Sequence, residues 1–238
     1  MVRSIFIMVV TVLQTIILGV ISIIISIFDR TGNFMGFVAR VWSRIILFVS
    51  GVKVRVKGLD KIKKGNSYVF ISNHLSLYDI PAIVGHIPFQ FRMLAKKELY
   101  WIPLFGWALH MGGHIKIDRA NREKAIKSLH KAAEKLKNRR SSVFIFAEGT
   151  RSVNGKLGKF KKGGFVLAIN SKNPIVPISI WGSREIAPKK SLKIKPGKIN
   201  IVIGDPVYTD EYRFEDRNRL VELVRESIRR NINIAKNM

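Results

Sequence analysis

His74 and Asp79, in the stretch N-H-L-S-L-Y-D from Asn73 to Asp79, have the residue types that general-base chemistry needs. A carboxylate that holds one imidazole nitrogen as N–H stabilises the imidazolium. It leaves the other nitrogen to take a proton from a hydroxyl. Residues five apart on a continuous helix diverge by about 140° and could not touch. Here a strand-like run ends at Ile71 and a helix is expected near Pro81, so a turn lies between them and Asp79 can double back to the imidazole. Taken alone, the spacing more often means a helix-capping aspartate beside a loop histidine.

A second constellation is F-I-F-A-E-G-T-R-S from Phe144 to Ser152. A buried strand delivers Glu148, Gly149, Thr150 and Arg151 into a loop. Glu148 can accept hydrogen bonds from a polyol, Gly149 allows close backbone approach, and the planar fork of Arg151 suits phosphate. Lys156, Lys159, Lys161 and Lys162 thicken the positive field behind it. The loop is not a P-loop: five residues separate Gly149 from Gly155, and Leu157 stands where Ser or Thr would bind magnesium. By itself such a loop is more often a charged turn than a phosphate site.

The elements that must position these groups follow from patterning. Segments 52–56, 67–71, 91–95, 114–117, 142–146, 175–180 and 199–203 are short and rich in β-branched and aromatic residues, the mark of strands. Ile126, Leu129, Ala133 and Leu136 form one apolar helical stripe, and Leu220, Leu223, Val224 and Ile228 another. K-P-G-K at 195–198 reads as a turn joining two late strands. Strands interleaved with helices predict an α/β domain with a mixed β-sheet, beginning near residue 51 and running to 238.

Residues 1–50 differ. Ser4 to Phe28 carries no charge and as a helix would extend roughly 37 Å, enough for a bilayer core. It is longer than a signal peptide's apolar region and lacks a small-x-small cleavage site at its end. After Asp29-Arg30 and a turn at Gly32-Asn33, a second apolar segment carries Arg40 and Arg44 on one face, which suits an interfacial or re-entrant helix. Residues 1–50 are thus expected to form a membrane-embedded helical pair.

Composition narrows the partners. The formal net charge is +26, and nearly all of it lies after residue 50, so a polyanion is expected. The apolar N-terminus favours an anionic membrane surface and speaks against nucleic acid. With no cysteine, disulfides, thiolate metal sites and a thiol nucleophile are excluded. His110 and His114 flank two glycines that undermine a helical metal pair, and no metal is expected. Ser76 lacks a nucleophile elbow. The aromatic segment 100–109, with Trp101, Phe105 and Trp107, is either core or the lipid-facing wall of an acyl-chain groove.

Together, N-H-L-S-L-Y-D and F-A-E-G-T-R-S resemble motifs I and III of the H-x4-D glycerolipid acyltransferase family, typified by 1-acylglycerol-3-phosphate acyltransferases. G-G-H-I-K-I-D-R, ending at Arg119, resembles motif II, and I-V-P-I-S-I around Pro177 resembles motif IV. The match covers roughly residues 50–185. One departure is Ala147, where the family usually has proline. The resemblance implies His74 as general base and Asp79 as its orienting partner. It implies Glu148, Gly149, Thr150 and Arg151 on the glycerol and phosphate of the acceptor, with Arg119 helping hold phosphate.

The implied reaction moves an acyl group from acyl-CoA or acyl-ACP, a co-substrate, to the sn-2 hydroxyl of lysophosphatidic acid, giving phosphatidic acid with no resident cofactor. The implied location is the inner cell membrane, with the basic domain on the cytoplasmic face. Glycerol-3-phosphate or another lysophospholipid is the alternative acceptor, and a non-catalytic basic membrane binder the rival from another class.

Overall fold

The computed structural model describes residues 1–26, 33–138 and 142–238. Of the turn expected at Gly32-Asn33, Gly32 lies outside them, and Asn33 begins the second helix. All seven expected strands form: β1 (Val52–Lys57), β2 (Val69–Ser72), β3 (Phe91–Lys96), β4 (Ile115–Ile117), β5 (Ser142–Phe146), β6 (Ile175–Trp181) and β7 (Gly197–Ile203). They build one mixed sheet in the order β1-β7-β6-β2-β5-β3-β4. All neighbours are parallel except β6 and β7. The central strands are buried along nearly their whole length, so they read as continuous apolar runs and not as alternation.

Helices cover both faces. On one face lie α2 (Asn33–Val49), α3 (Asp79–His86) and the short α7 (Ser183–Ile186). Their Ile46, Leu47, Ala82, Ile83 and Ile186 share a core with Phe70, Phe144 and Ile180 of the sheet. On the other face lie α5 (Arg122–Asn138), α6 (Gly163–Ser171) and α8 (Arg217–Lys236), contributing Ala133, Leu136, Phe165, Leu167, Leu220, Val224 and Ile228. Two residues of the expected stripes, Ile126 and Leu223, lie outside these contacts and are exposed.

The 195–198 segment is not a hairpin turn. β6 and β7 are antiparallel neighbours, yet α7 and the 187–196 loop intervene, and Gly197 already belongs to β7.

α1 (Val2–Ser26) packs against α2 and α4 (Phe105–Met111). Trp42 Nε1 donates to Thr15 Oγ1 at 2.9 Å, joining the helical pair. Arg3 Nη2 donates to Ser50 O at 2.9 Å, and Ile194 N to Ser4 Oγ at 2.9 Å, so the start of α1 is tied to the α/β body. Among the described residues α1 alone is long and apolar enough to cross a membrane by length and composition. Among the same residues, eleven large apolar side chains of α1, including Phe6, Leu13 and Ile17, lie exposed. Trp101 and Trp107 are also exposed, which settles the aromatic segment against a core role. Apolar surface this extensive is what lipid or a partner covers.

Candidate active site

Parallel pairing creates the site. Ser72 of β2 is in register with Phe146 of β5, so the loops leaving their C-terminal ends start side by side. This is the edge at which open α/β sheets bind ligands.

The loop after β2 is held from several sides. Asn73 exchanges two hydrogen bonds with the Ile180 backbone, each 2.9 Å, which anchors it to β6. The chain then doubles back: His74 Nδ1 lies 2.7 Å from Asp79 Oδ2. The same oxygen accepts the backbone N–H groups of Leu75 at 2.7 Å and Ser76 at 2.9 Å. Ser76 Oγ accepts from Tyr78 N at 3.2 Å, closing a local turn just ahead of α3. Loop closure by Asp79 and imidazole orientation are therefore one arrangement. Ser76 Oγ also donates to Ala187 O at 2.8 Å, a structural use of that hydroxyl.

Asp79 is fully buried. A carboxylate only accepts, so Nδ1 carries the proton and neutral His74 presents its lone pair at Nε2. The imidazole stacks on Phe146 with centroids 3.8 Å apart and planes 14° apart, which fixes the ring tilt.

The loop after β5 is bonded to this one. Ala147 N donates to Ser72 O at 2.9 Å, extending the sheet ladder by one residue, a bond that proline could not make. Ser152 N donates to His74 O at 2.8 Å. Glu148, expected on the acceptor, has a prior task inside the protein. Its Oε1 accepts from His74 N at 3.1 Å and its Oε2 from Gly158 N at 3.0 Å. Burial raises its pKa, and the two backbone N–H groups oppose that shift. A substrate hydroxyl would have to use the second lone pair of either oxygen.

Gly149 has φ 68, and a Cβ there would meet the Lys161 side chain at 2.9 Å. Arg119 reaches the same turn from beyond β4: its Nη1 donates to Gly149 O at 2.7 Å. Asp118 aims it by accepting from Ala120 N and Asn121 N at 3.1 and 3.3 Å, a local turn bond. The structure thus brings His74, Asp79, Arg119, Glu148, Gly149, Thr150 and Arg151 to one edge of the sheet.

Three contributors escaped the sequence reading. Phe146 looked like ordinary strand core, and Gly158 like one more glycine in a charged loop. Lys189 Nζ reaches Thr150 Oγ1 at 3.2 Å and Arg151 O at 2.9 Å, adding a cation from a segment that carries no motif.

His114 has its own structural task, accepting the Met93 N–H at Nδ1 over 2.9 Å.

The acyltransferase family pattern matches residues 53–181, which hold the dyad, the motif III loop and Arg119. The chain belongs to the acyltransferase family. It is 35% identical over 195 residues to a 1-acyl-sn-glycerol-3-phosphate acyltransferase of Cocos nucifera, covering 82% of this chain and 62% of that protein. A protein of the same name from Limnanthes douglasii is 31% identical, with 85% of this chain and 70% of that one covered. The chain therefore spans less than two thirds of the Cocos relative's length. It superimposes with TM-score 0.86 on the crystal structure of the LPA acyltransferase PlsC from Thermotoga maritima, at 27% identity, covering 100% of this chain and 96% of that one.

Proposed function

We propose that this acyltransferase transfers a fatty acyl group from a thioester of coenzyme A or acyl carrier protein to the sn-2 hydroxyl of lysophosphatidic acid, forming phosphatidic acid. One observation carries the reading: the 2.7 Å His74–Asp79 pair opens beside the Gly149–Arg151 loop that Arg119 braces. The relatives' names support the same acceptor.

In this reading His74 Nε2 removes the acceptor's hydroxyl proton as the oxygen attacks the thioester carbonyl. Asp79 stabilises the imidazolium that forms. Collapse of the tetrahedral adduct breaks the carbon–sulfur bond, and the leaving thiolate takes the proton back from His74. Arg151 and Arg119, with Lys189 nearby, neutralise the phosphomonoester of the acceptor. The enzyme needs no resident cofactor.

Residues 1–50 serve as the anchor, and the +26 charge draws the α/β body to anionic lipid. The contacts of Arg3 and Ser4 with the body, and the packing of α1 on α4, support an α1 lying alongside the body at the membrane. Anchoring there spares the lipid from leaving the bilayer, at about 0.8 kcal/mol per exposed methylene. The basic body sits on the cytoplasmic face of the inner membrane.

The test is a mass-resolved assay of purified protein in detergent, offering both thioester donors with lysophosphatidate, glycerol-3-phosphate and other lysophospholipids. Phosphatidate from lysophosphatidate, lost in His74→Ala, is expected. Equal turnover by His74→Ala would end the assignment.

A further inference from the structure

A groove of about 410 Å³ opens beside Asn154 to Leu157 in the loop after β5. That volume lies within the roughly 300–1,000 Å³ typical of small-ligand sites. Lys156, Arg184, Arg225, Arg229 and Lys236 line it, against a single carboxylate, that of Glu185. Its wall is aromatic at Trp181, whose ring Lys236 Nζ overlies at 4.7 Å. At its inner end it reaches Leu75, the residue after His74. Neither arginine assigned to the acceptor's phosphate lines it.

Position adds a second argument. The groove lies between α8, on the sheet face covered by α5 and α6, and Arg184 and Glu185 of α7, on the face covered by α2 and α3, so it opens at the edge of the sheet that carries the dyad. No residue of α1 or α2, the helices with which a lipid acceptor would arrive, is among those that line the groove, so a ligand here would approach the dyad by a separate route. Five cations and one aromatic wall suit a ligand that is polyanionic and partly aromatic.

We propose that this groove holds the phosphate-bearing nucleotide end of a coenzyme A thioester. This rests on the acyl-transfer reading above and deepens it. A pyrophosphate and a ribose phosphate match clustered guanidinium and ammonium groups, and adenine matches an aromatic wall. Arg184 is already pinned, donating from Nε and Nη2 to Val153 O at 3.1 and 3.0 Å, so little ordering remains for it on binding. Arg225 and Arg229 pair with Glu222 and Glu226 at 3.8 and 3.0 Å, carboxylates more than half exposed that a phosphate can displace. An acidic carrier protein would instead call for a broad, convex cationic surface, and these cations surround a concavity.

The experiment uses the full chain in detergent, with adenosine 3′,5′-bisphosphate as the binding probe in calorimetry. The variants are Lys156→Ala/Lys236→Ala and, separately, Arg229→Ala, all exposed positions. Wild type should bind the bisphosphate, and the double variant roughly tenfold more weakly. Its KM for acyl-CoA should rise by a similar factor while its KM for lysophosphatidate holds. S-acyl pantetheine, which lacks the nucleotide, should lose no turnover relative to wild type. Lys64→Ala, at the opposite end of β2, should bind as wild type does. No bisphosphate binding to wild type, or equal binding by both groove variants, overturns the proposal. A raised KM for acyl carrier protein thioesters with acyl-CoA unaffected overturns it too, in favour of a carrier protein. Failure of every donor to acylate lysophosphatidate would refute the acyl-transfer reading, and the binding measurement would still judge the groove.

Discussion

Asp79 Oδ2 holds His74 Nδ1 at 2.7 Å and also the two backbone amides that follow His74. The atom that sets the tautomer is therefore the atom that folds the loop. A substitution at Asp79 disturbs both, whereas one at His74 leaves the two backbone bonds in place.

His74→Ala should lower kcat by about 10²–10⁴, the usual contribution of general-base catalysis, with an unchanged melting temperature. Asp79→Asn should lower kcat at least as far and also destabilise the protein by about 1–3 kcal/mol: with the amide oxygen kept on the three donors, the amide nitrogen takes the place of Oδ1, which is buried and has no hydrogen-bond partner among the described residues. Steady-state rates and thermal melts on the same preparations separate the two. Equal melting losses in both variants would contradict this division.

How much of this was legible beforehand differs residue by residue. The strands were readable because β2, β5 and β6 are β-branched runs buried on both faces. The spacing of His74 and Asp79 was readable as chemistry but also as a cap, and the structure has Asp79 on the imidazole and on two loop amides, with no side-chain cap on α3. The clamp on Glu148 was not readable, since it depends on β2 and β5 being parallel neighbours in one register. Lys189 was hidden for a similar reason: the path through α7 that carries it to Thr150 has no local signature. The turn expected at 195–198 shows the converse error, a local turn signal where the chain runs directly into β7.

Gly158→Ala tests the clamp. Its Cβ would lie 2.7 Å from Glu148 Oε2, forcing the carboxylate or the loop to move. We expect about 1–3 kcal/mol lost stability and a fall in kcat with little change in lysophosphatidate KM, since His74 loses its amide partner before any substrate contact is touched. A change in KM alone would instead place Glu148 on the substrate.

Arg119→Lys keeps the charge and loses the planar fork. Its effect should appear as a roughly tenfold higher KM for lysophosphatidate, with the donor's KM unaffected. Kinetics with each substrate varied in turn decide this, and an altered donor KM would move Arg119 to the other subsite.

Leu13→Lys/Ile17→Lys places two charges on the exposed face of α1. Each large apolar side chain buried in lipid contributes about 1.5–3 kcal/mol, so vesicle partitioning should fall more than a hundredfold. Detergent-solubilised activity should persist. Undiminished sedimentation with vesicles would show that this face does not enter lipid.

Acid stability should turn on His114. Burial, with Arg92 close by, pushes its pKa down to about 4, and its Nδ1 must stay unprotonated to accept the Met93 N–H. The unfolded chain, near the ordinary value of about 6.5, takes up the proton first as pH falls. Folding stability is therefore fully present above about pH 6.5 and declines as pH drops toward 4, by up to about 3 kcal/mol. Urea unfolding at several pH values across that window should show wild type losing more than His114→Asn, whose carbonyl oxygen can accept the same bond and does not titrate. Parallel profiles for the two proteins would assign the acid sensitivity to another group.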